Sequence, residues 1–200
     1  MNVFVLSTGR CGSLSFAKAC GHLTNYTSGH ETRAHLFGSE RLDYPDHHIE
    51  VDNRLVWFLG PLAERYDDRD VLYVHLTRDP QETAESLVAW SLPTPERPNA
   101  YPANMLRAFC HGLTMRATAM TRDEYLAGAR AYVDTVSANI STFLAPQGVA
   151  YWDSREMAMG DAAGFAWFLR YIKAEGDLDA AMATWGRKSN RRPLTGTRGS

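Results

Sequence analysis

Several features are scarce in this 200-residue chain, and each absence narrows the possible classes of protein. No apolar run approaches the roughly 20 residues that a membrane-spanning helix requires, so no membrane partner is predicted. The three cysteines are an odd set without Cys-X-X-Cys spacing, which is typical of a reduced intracellular protein. No basic segment precedes the first apolar run, so no secretory signal is predicted. We therefore expect a cytoplasmic protein.

An excess of charge of either sign is also absent. The chain has 21 Lys and Arg against 23 Asp and Glu, a formal net charge of −2, whereas nucleic-acid-binding domains are usually strongly basic. His30 and His35 are one residue too far apart to share a helix face as zinc ligands, and His47 and His48 are adjacent. No nucleic acid and no metal are predicted, so any anion site must be local.

Short apolar runs alternate with amphipathic stretches along the chain. Strands are predicted at 2–6, near 26, and at 49–51, 70–76 and 149–152. Helices are predicted at 13–20, 53–66 with a bend at Pro61, from 80 onward, and at 103–119, 122–144, 162–174 and 177–185. Strands separated by helices are typical of a parallel sheet covered on both faces. We expect one three-layer α/β/α domain over residues 1–200, with a loop-like tail from about residue 187.

The segment at 7–13 has the sequence Ser-Thr-Gly-Arg-Cys-Gly-Ser and lies between the first predicted strand and helix. Backbone N–H groups at a helix start, together with the helix dipole, favour a bound anion. Gly9 and Gly12 let the backbone approach closely, and Arg10 supplies a permanently charged fork of donors. The spacing is not that of a Walker A loop. An ordinary turn with Arg10 in solvent is the alternative, and Cys11 is either a small packing residue or a reactive thiol.

A second basic residue, Arg78, stands at the end of the predicted strand at 70–76. Asp79 and Glu82 are spaced as a capping box for the helix that follows, and Ser86 lies two turns into that helix. Because α/β proteins bind ligands at the carboxyl ends of their strands, Arg78 and Ser86 can hold a second anion. A structural ion pair and an exposed serine are the alternative interpretation.

These segments resemble the donor-binding motifs of the sulfotransferases that use 3′-phosphoadenosine-5′-phosphosulfate (PAPS). The segment at 7–13 is similar to their 5′-phosphosulfate loop, and Arg78 with Ser86 is similar to their 3′-phosphate site. Weaker similarities follow at 150–153, at 164–172 and at 187–189, where Arg187-Lys188 is similar to part of the family's closing loop. The resemblance implies a P-loop NTPase-like sulfotransferase fold.

The resemblance also implies a reaction, the transfer of the sulfuryl group from PAPS to a hydroxyl of a small molecule or sugar. The product of the donor is then adenosine 3′,5′-bisphosphate. Arg10 stands where many members have a catalytic lysine. The residues expected to bind the donor are Gly9, Arg10, Cys11, Gly12, Ser13, Leu14, Arg78, Ser86, Arg187 and Lys188.

A hydroxyl acceptor also needs a base. The resemblance makes Glu31 the first candidate and His30 the second, and solvated loop residues are the alternative. No tryptophan adjoins the segment at 7–13 in the sequence to stack on adenine, and the proline-rich segment at 90–101 is either a lid or a surface loop. Two other functions stay open, a nucleotide-dependent kinase that uses the same anion loop and a non-catalytic nucleotide-binding module.

Overall fold

The computed structural model describes residues 1–67, 70–93, 105–116, 119–145 and 153–187. Five strands form one all-parallel sheet in the order β2-β3-β1-β4-β5. The strands are β1 (Asn2–Leu6), β2 (Thr27–His30), β3 (His48–Val51), β4 (Val71–Thr77) and β5 (Asp153–Ala158). The α-helices are α1 (Ser13–Cys20), α2 (Leu59–Arg65), α3 (Pro80–Ser91), α4 (Met105–Arg107), α5 (Arg122–Leu144), α6 (Ala162–Tyr171) and α7 (Leu178–Gly186). The predicted α/β class and parallel central sheet are confirmed.

Helices pack against both faces of the sheet. On one face, Val3 and Val5 of β1 lie in a buried cluster with Phe16 of α1, Phe165 of α6 and Trp185 of α7. The alternate residues of β1 and β4 point to the other face. Because both faces are covered, the central strands carry nearly continuous apolar sequence, which is why they were recognisable in the sequence.

The second face is built mainly by α3 and α5. Phe4 of β1 and Tyr73 of β4 pack there with Val88 of α3 and with Tyr132 of α5. Each aromatic side chain of this size contributes roughly 2 to 3 kcal/mol when it is fully buried. The helices on two faces agree with the predicted three-layer arrangement.

The chain leaves β1 and β4 in opposite directions. These strands are neighbours, yet α1, which follows β1, packs on one face and α3, which follows β4, packs on the other. The two connections therefore diverge and leave a crevice at the carboxyl ends of β1 and β4. In open parallel sheets this crevice is where ligands bind.

The start of α3 follows the sequence prediction in part. Asp79 is the N-cap and accepts from the backbone N–H of Glu82 at 2.8 Å, and Pro80 occupies the first turn. The carboxylate of Glu82 accepts hydrogen bonds from Arg78 rather than completing the predicted capping box. Asp79 therefore caps the helix alone, and the Glu82 side chain binds Arg78 at the end of β4 instead.

The helix predicted over 53–66 is two helices. A 3₁₀ helix spans Asn53–Trp57, α2 spans Leu59–Arg65, and the break falls at Phe58. The bend predicted at Pro61 is wrong, because Pro61 lies in the first turn of α2, where its missing N–H has no helical partner to lose.

Other predicted boundaries also change. The helix predicted over 103–119 is α-helical at Met105–Arg107 and continues as a π-helix at Ala108–Leu113. The strand predicted at 149–152 lies outside the described residues, and β5 starts at Asp153. Among the helices in the described ranges, none combines the length and apolar character needed to cross a bilayer.

Candidate functional site

The loop between β1 and α1 has an unusual backbone. Gly9, Arg10 and Gly12 adopt left-handed φ angles of 80°, 60° and 89°. Gly12 is the N-cap of α1 and has no side chain to bond the first N–H groups of the helix. The start of α1 therefore has no side-chain cap from Gly12, and backbone N–H groups at such a helix start bind anions.

Close packing explains why glycine occupies two of these positions. A Cβ on Gly9 would lie 2.9 Å from Nδ2 of Asn53, and a Cβ on Gly12 would lie 2.8 Å from Cγ of Met159. Asn53 follows β3, and Met159 follows β5. The loop is thus held between the ends of strands on either side of β1.

Buried hydrogen bonds fix the interior of the loop. The backbone N–H of Gly9 donates to Oγ of Ser7 at 3.1 Å, and the hydroxyl of Tyr132 donates to the carbonyl oxygen of Thr8 at 3.0 Å. Cys11 is 2% exposed and its Sγ donates to the carbonyl of Gly9. Burial raises the pKa of the Cys11 thiol above its ordinary value. Cys11 is therefore a packing residue, and the structure disfavours the reactive-thiol alternative.

The two predicted anion motifs meet at this loop. Nη1 of Arg78 donates to the carbonyl oxygen of Arg10 at 3.2 Å. Nε of Arg10 donates to Oγ of Ser86 at 3.1 Å, and its guanidinium lies 4.9 Å from the ring centroid of Trp90. The sequence placed Ser86 beside Arg78, whereas the structure bonds Ser86 to Arg10. Three predicted residues nevertheless share one crevice.

Both candidate bases lie at the end of β2, on the other side of the loop. Nε2 of His30 is 3.1 Å from Oγ of Ser13, the first residue of α1. Glu31 has a φ of 56°, and its Oε2 lies 2.5 Å from Nη1 of Arg54. The structure thus brings His30 to the loop itself and engages Glu31 in an ion pair.

The end of β3 contributes residues that the sequence analysis missed. Asp52 is fully buried, pairs with the buried guanidinium of Arg41, and accepts the backbone N–H of Arg54 at 2.8 Å. Burial raises the pKa of Asp52, and the Arg54 backbone N–H and the Arg41 charge oppose that rise. The available signal was the run Asp-Asn-Arg directly after a predicted strand, which is the same signal that identified Arg78.

Two tryptophans lie beside the loop, although none adjoins it in the sequence. Trp90 of α3 contacts Arg10, and the Trp185 ring would lie 3.7 Å from a Cβ on Gly12. The fold thus brings to the loop two tryptophans that adjacency along the chain does not reveal. Arg187 follows α7 two residues after Trp185, and Lys188 lies outside the described residues.

Two other features of the described chain bear on the choice of site. An open depression of about 400 Å³ lies at the opposite, amino edge of the sheet and is lined by Met1, Asn2, Asp46, His47 and Asp70. The described ranges hold no group of three or more His, Cys, Asp or Glu placed to bind a metal ion. Comparisons with protein-family models, curated proteins and solved structures give no match. The chemistry of the crevice must therefore indicate what the chain binds.

Proposed function

We propose that this chain is a PAPS-dependent sulfotransferase with a P-loop NTPase-like sulfotransferase fold. The observation that carries the proposal is the 3.2 Å hydrogen bond from Arg78 to the carbonyl of Arg10. It joins two cationic strand ends at the crevice of a parallel sheet. A nucleotide with charged groups on both its 5′ and 3′ positions matches such a pair of sites.

Each part of the crevice has a role in binding PAPS. The backbone N–H groups of Gly12, Ser13 and Leu14 bind the 5′-phosphate at the start of α1. Arg78, together with Ser86 on α3, binds the 3′-phosphate, where a charge-assisted fork suits a phosphate group. Trp90 offers an aromatic face on the same side for the adenine ring. Arg187, at the end of α7, covers the bound nucleotide together with Lys188, the next residue in the sequence.

The reaction is an in-line displacement at sulfur. The acceptor hydroxyl oxygen forms a bond to sulfur, and the bond from sulfur to the bridging oxygen breaks. The electron pair of that bond leaves with adenosine 3′,5′-bisphosphate, and Arg10 stabilises the developing charge on the bridging oxygen. His30 or Glu31 accepts the hydroxyl proton. Positioning and fixed charge supply most of the catalysis, as in phosphoryl transfer.

A kinase that uses the same loop is less consistent with the end of β3. Mg²⁺ in phosphoryl-transfer sites is usually bound by an open carboxylate near the phosphates. Asp52 is the carboxylate at that strand end, and it is fully buried and bonded to Arg41. A sulfuryl group carries less charge than a phosphoryl group and needs no such carboxylate.

Calorimetric titration with adenosine 3′,5′-bisphosphate tests the proposal. We expect wild type to bind it and Arg78→Ala to lose about 2 to 4 kcal/mol of binding free energy, the usual cost of removing one partner of a desolvated charge pair. Arg170→Ala is the matched control, since Arg170 is an exposed arginine on α6. We expect its affinity to equal that of wild type.

Three outcomes would contradict the proposal or parts of it. Binding of Mg-ATP without binding of adenosine 3′,5′-bisphosphate indicates the kinase. Equal losses in Arg78→Ala and Arg170→Ala mean that Arg78 is not in the nucleotide site. Tight nucleotide binding with no sulfuryl transfer to any hydroxyl of a panel of sugars, phenols and alcohols indicates the non-catalytic binding module.

A further inference from the structure

A third arginine, Arg54, borders the crevice at the end of β3. It is the second residue of the 3₁₀ helix Asn53–Trp57, and its backbone N–H is fixed by Asp52 at 2.8 Å. Asp52 is in turn held by Arg41 in the core. The backbone of Arg54 is therefore anchored, while its side chain reaches the carboxyl edge of the sheet.

One nitrogen of the Arg54 guanidinium has an ion-pair partner but no hydrogen bond to a described residue. This atom, Nη1, is buried and makes no hydrogen bond to any described residue, although Oε2 of Glu31 lies 2.5 Å away as an ion-pair partner. The side chains of Arg54 and Glu31 are 27% and 31% exposed, so the pair lies at the mouth rather than in the core. A second carboxylate oxygen, Oδ1 of Asp52, lies 4.0 Å from the same Nη1, but Asp52 is buried and paired with Arg41. Glu31 is therefore the nearer and the exposed partner, and a cation at a ligand crevice can exchange such a carboxylate for a ligand anion.

Neighbouring contacts place the Arg54 pair on the β2–β3 side of the loop. Asn53, the residue before Arg54, packs against Gly9. His30, the residue before Glu31, contacts Ser13. The charge of Arg54 also acts on the hydroxyl of Tyr132, which donates to the loop carbonyl of Thr8.

The other two arginines lie on the opposite side of the same loop. Arg10 is bonded to Ser86 and Arg78 to Glu82, and both partners belong to α3. If the 5′-phosphate occupies the start of α1 and the 3′-phosphate lies toward α3, the sulfuryl group points away from α3. That direction leads to the β2–β3 side, where Arg54 stands.

We propose that Arg54 binds the sulfuryl group of the donor, releasing Glu31 in exchange for sulfuryl oxygens. This assignment rests on the proposed function. The fork of the guanidinium matches two oxygens of a sulfuryl group, and the exchange makes the Glu31 carboxylate available to the acceptor hydroxyl proton only when donor is bound. Binding of the donor and release of the Glu31 carboxylate from Arg54 are thereby coupled.

Two nucleotides separate this role from a structural one. PAPS carries the sulfuryl group, and adenosine 3′,5′-bisphosphate lacks it. We expect Arg54→Gln to weaken PAPS binding about tenfold or more in calorimetry while leaving the bisphosphate affinity within about twofold of wild type. Arg33→Gln is the matched control, because Arg33 lies on the same connection between β2 and β3 and donates to the carbonyl of Glu40. Neither affinity should change in the control.

A second variant gives the opposite sign and does not depend on the fold of the first. Glu31→Gln removes the competing carboxylate, so it should raise PAPS affinity several-fold and leave the bisphosphate affinity unchanged. Equal effects on both nucleotides, or no effect on PAPS, in a folded Arg54→Gln or in Glu31→Gln overturn the assignment. Wild type that binds neither nucleotide overturns the proposed function, and this assignment falls with it.

Discussion

The guanidinium of Arg78 donates hydrogen bonds both to the loop between β1 and α1 and to an acidic side chain of α3. Nη1 donates to the carbonyl of Arg10 at 3.2 Å, and Nη2 donates to the carboxylate of Glu82 at 2.8 Å. Glu82 is 62% exposed, so this pair lies in water and is weak. A phosphate that binds Arg78 must therefore compete with Glu82 for the same donors.

We predict that Glu82→Gln raises the affinity for adenosine 3′,5′-bisphosphate by about two- to fivefold, the equivalent of a surface ion pair. Glu85→Gln is the control, because Glu85 is exposed on the same helix, carries the same charge and accepts from Gln81 instead. Titration calorimetry of both variants measures the effect. An equal rise in bisphosphate affinity in both variants would indicate that removing a negative charge from α3 is enough, and that release of Arg78 from Glu82 is not the cause.

The backbone of Gly12 gives a prediction about the loop itself. Gly12 has a φ of 89°, and a Cβ there would lie 2.8 Å from Met159. Gly12→Ala should cost about 1 to 3 kcal/mol of unfolding free energy because of strain at this angle, and it should weaken anion binding. Urea denaturation and calorimetry measure the two effects.

Gly60→Ala provides the comparison for Gly12. Gly60 lies in α2, has no positive φ, and has no atom within 4 Å of the position of a Cβ. We expect this substitution to stabilise the protein slightly, by up to about 1 kcal/mol, because alanine favours the helix. If the two substitutions cost the same, neither the backbone angle nor the close contact with Met159 is what selects glycine at position 12.

Much of the fold followed from local sequence signals. The limits of α5 at Thr121 and Leu144 and the start of α3 at Asp79 were legible, since capping residues and apolar periodicity act within a few residues. The half-buried edge strand β2 was only suggested near Tyr26, because its residues 27–30 lack the apolar run of a buried strand. The break at Phe58 was not visible, since it depends on how two short helices pack on the sheet.

The candidate site was predictable only where each residue carries its own signal. Arg10 and Arg78 follow apolar strands, and a basic residue at a strand end is itself informative. Trp90 and Arg54 were missed because the order of the strands sets their proximity to the loop. That order brings Trp90 to Arg10, 80 positions away in the chain, and Asn53, the neighbour of Arg54, to Gly9, 44 positions away. Sheet order is a tertiary property that no single segment encodes.

The buried ion pair at β3 predicts a large effect on stability. Asp52 is fully buried and Arg41 is 2% exposed, so Asp52→Ala leaves a desolvated guanidinium without its partner. We expect a loss of about 3 to 5 kcal/mol of unfolding free energy in urea denaturation. Asp43→Ala removes the partner of Arg65 in an exposed pair and should cost less than about 1 kcal/mol. Similar losses of unfolding free energy in both variants would mean that water or other groups stabilise the Arg41 guanidinium when Asp52 is absent.

Glu50 makes stability depend on pH near the candidate base. It is fully buried and accepts from the backbone N–H of Thr32 at 2.8 Å and from Nε2 of His48 at 2.9 Å. Burial by itself raises the pKa of Glu50, but the hydrogen bonds from His48 and Thr32 outweigh it and hold the pKa below its ordinary value. The folded state therefore binds this proton less readily than the unfolded chain does.

A lowered pKa in the folded state means that the Glu50 carboxylate stabilises the fold at pH values above the ordinary glutamate pKa of about 4.3, and that this contribution is lost as the pH falls through the folded value. We predict that Glu50→Gln is less stable than wild type near neutral pH and that the difference shrinks below about pH 4.3, as measured by urea denaturation across that range. Glu64→Gln, at an exposed position of α2, should differ from wild type by a small and constant amount. A constant difference for Glu50→Gln would mean that its carboxylate is not held by Thr32 and His48. Because Thr32 follows Glu31 directly, loss of this contact in acid should also loosen the candidate base.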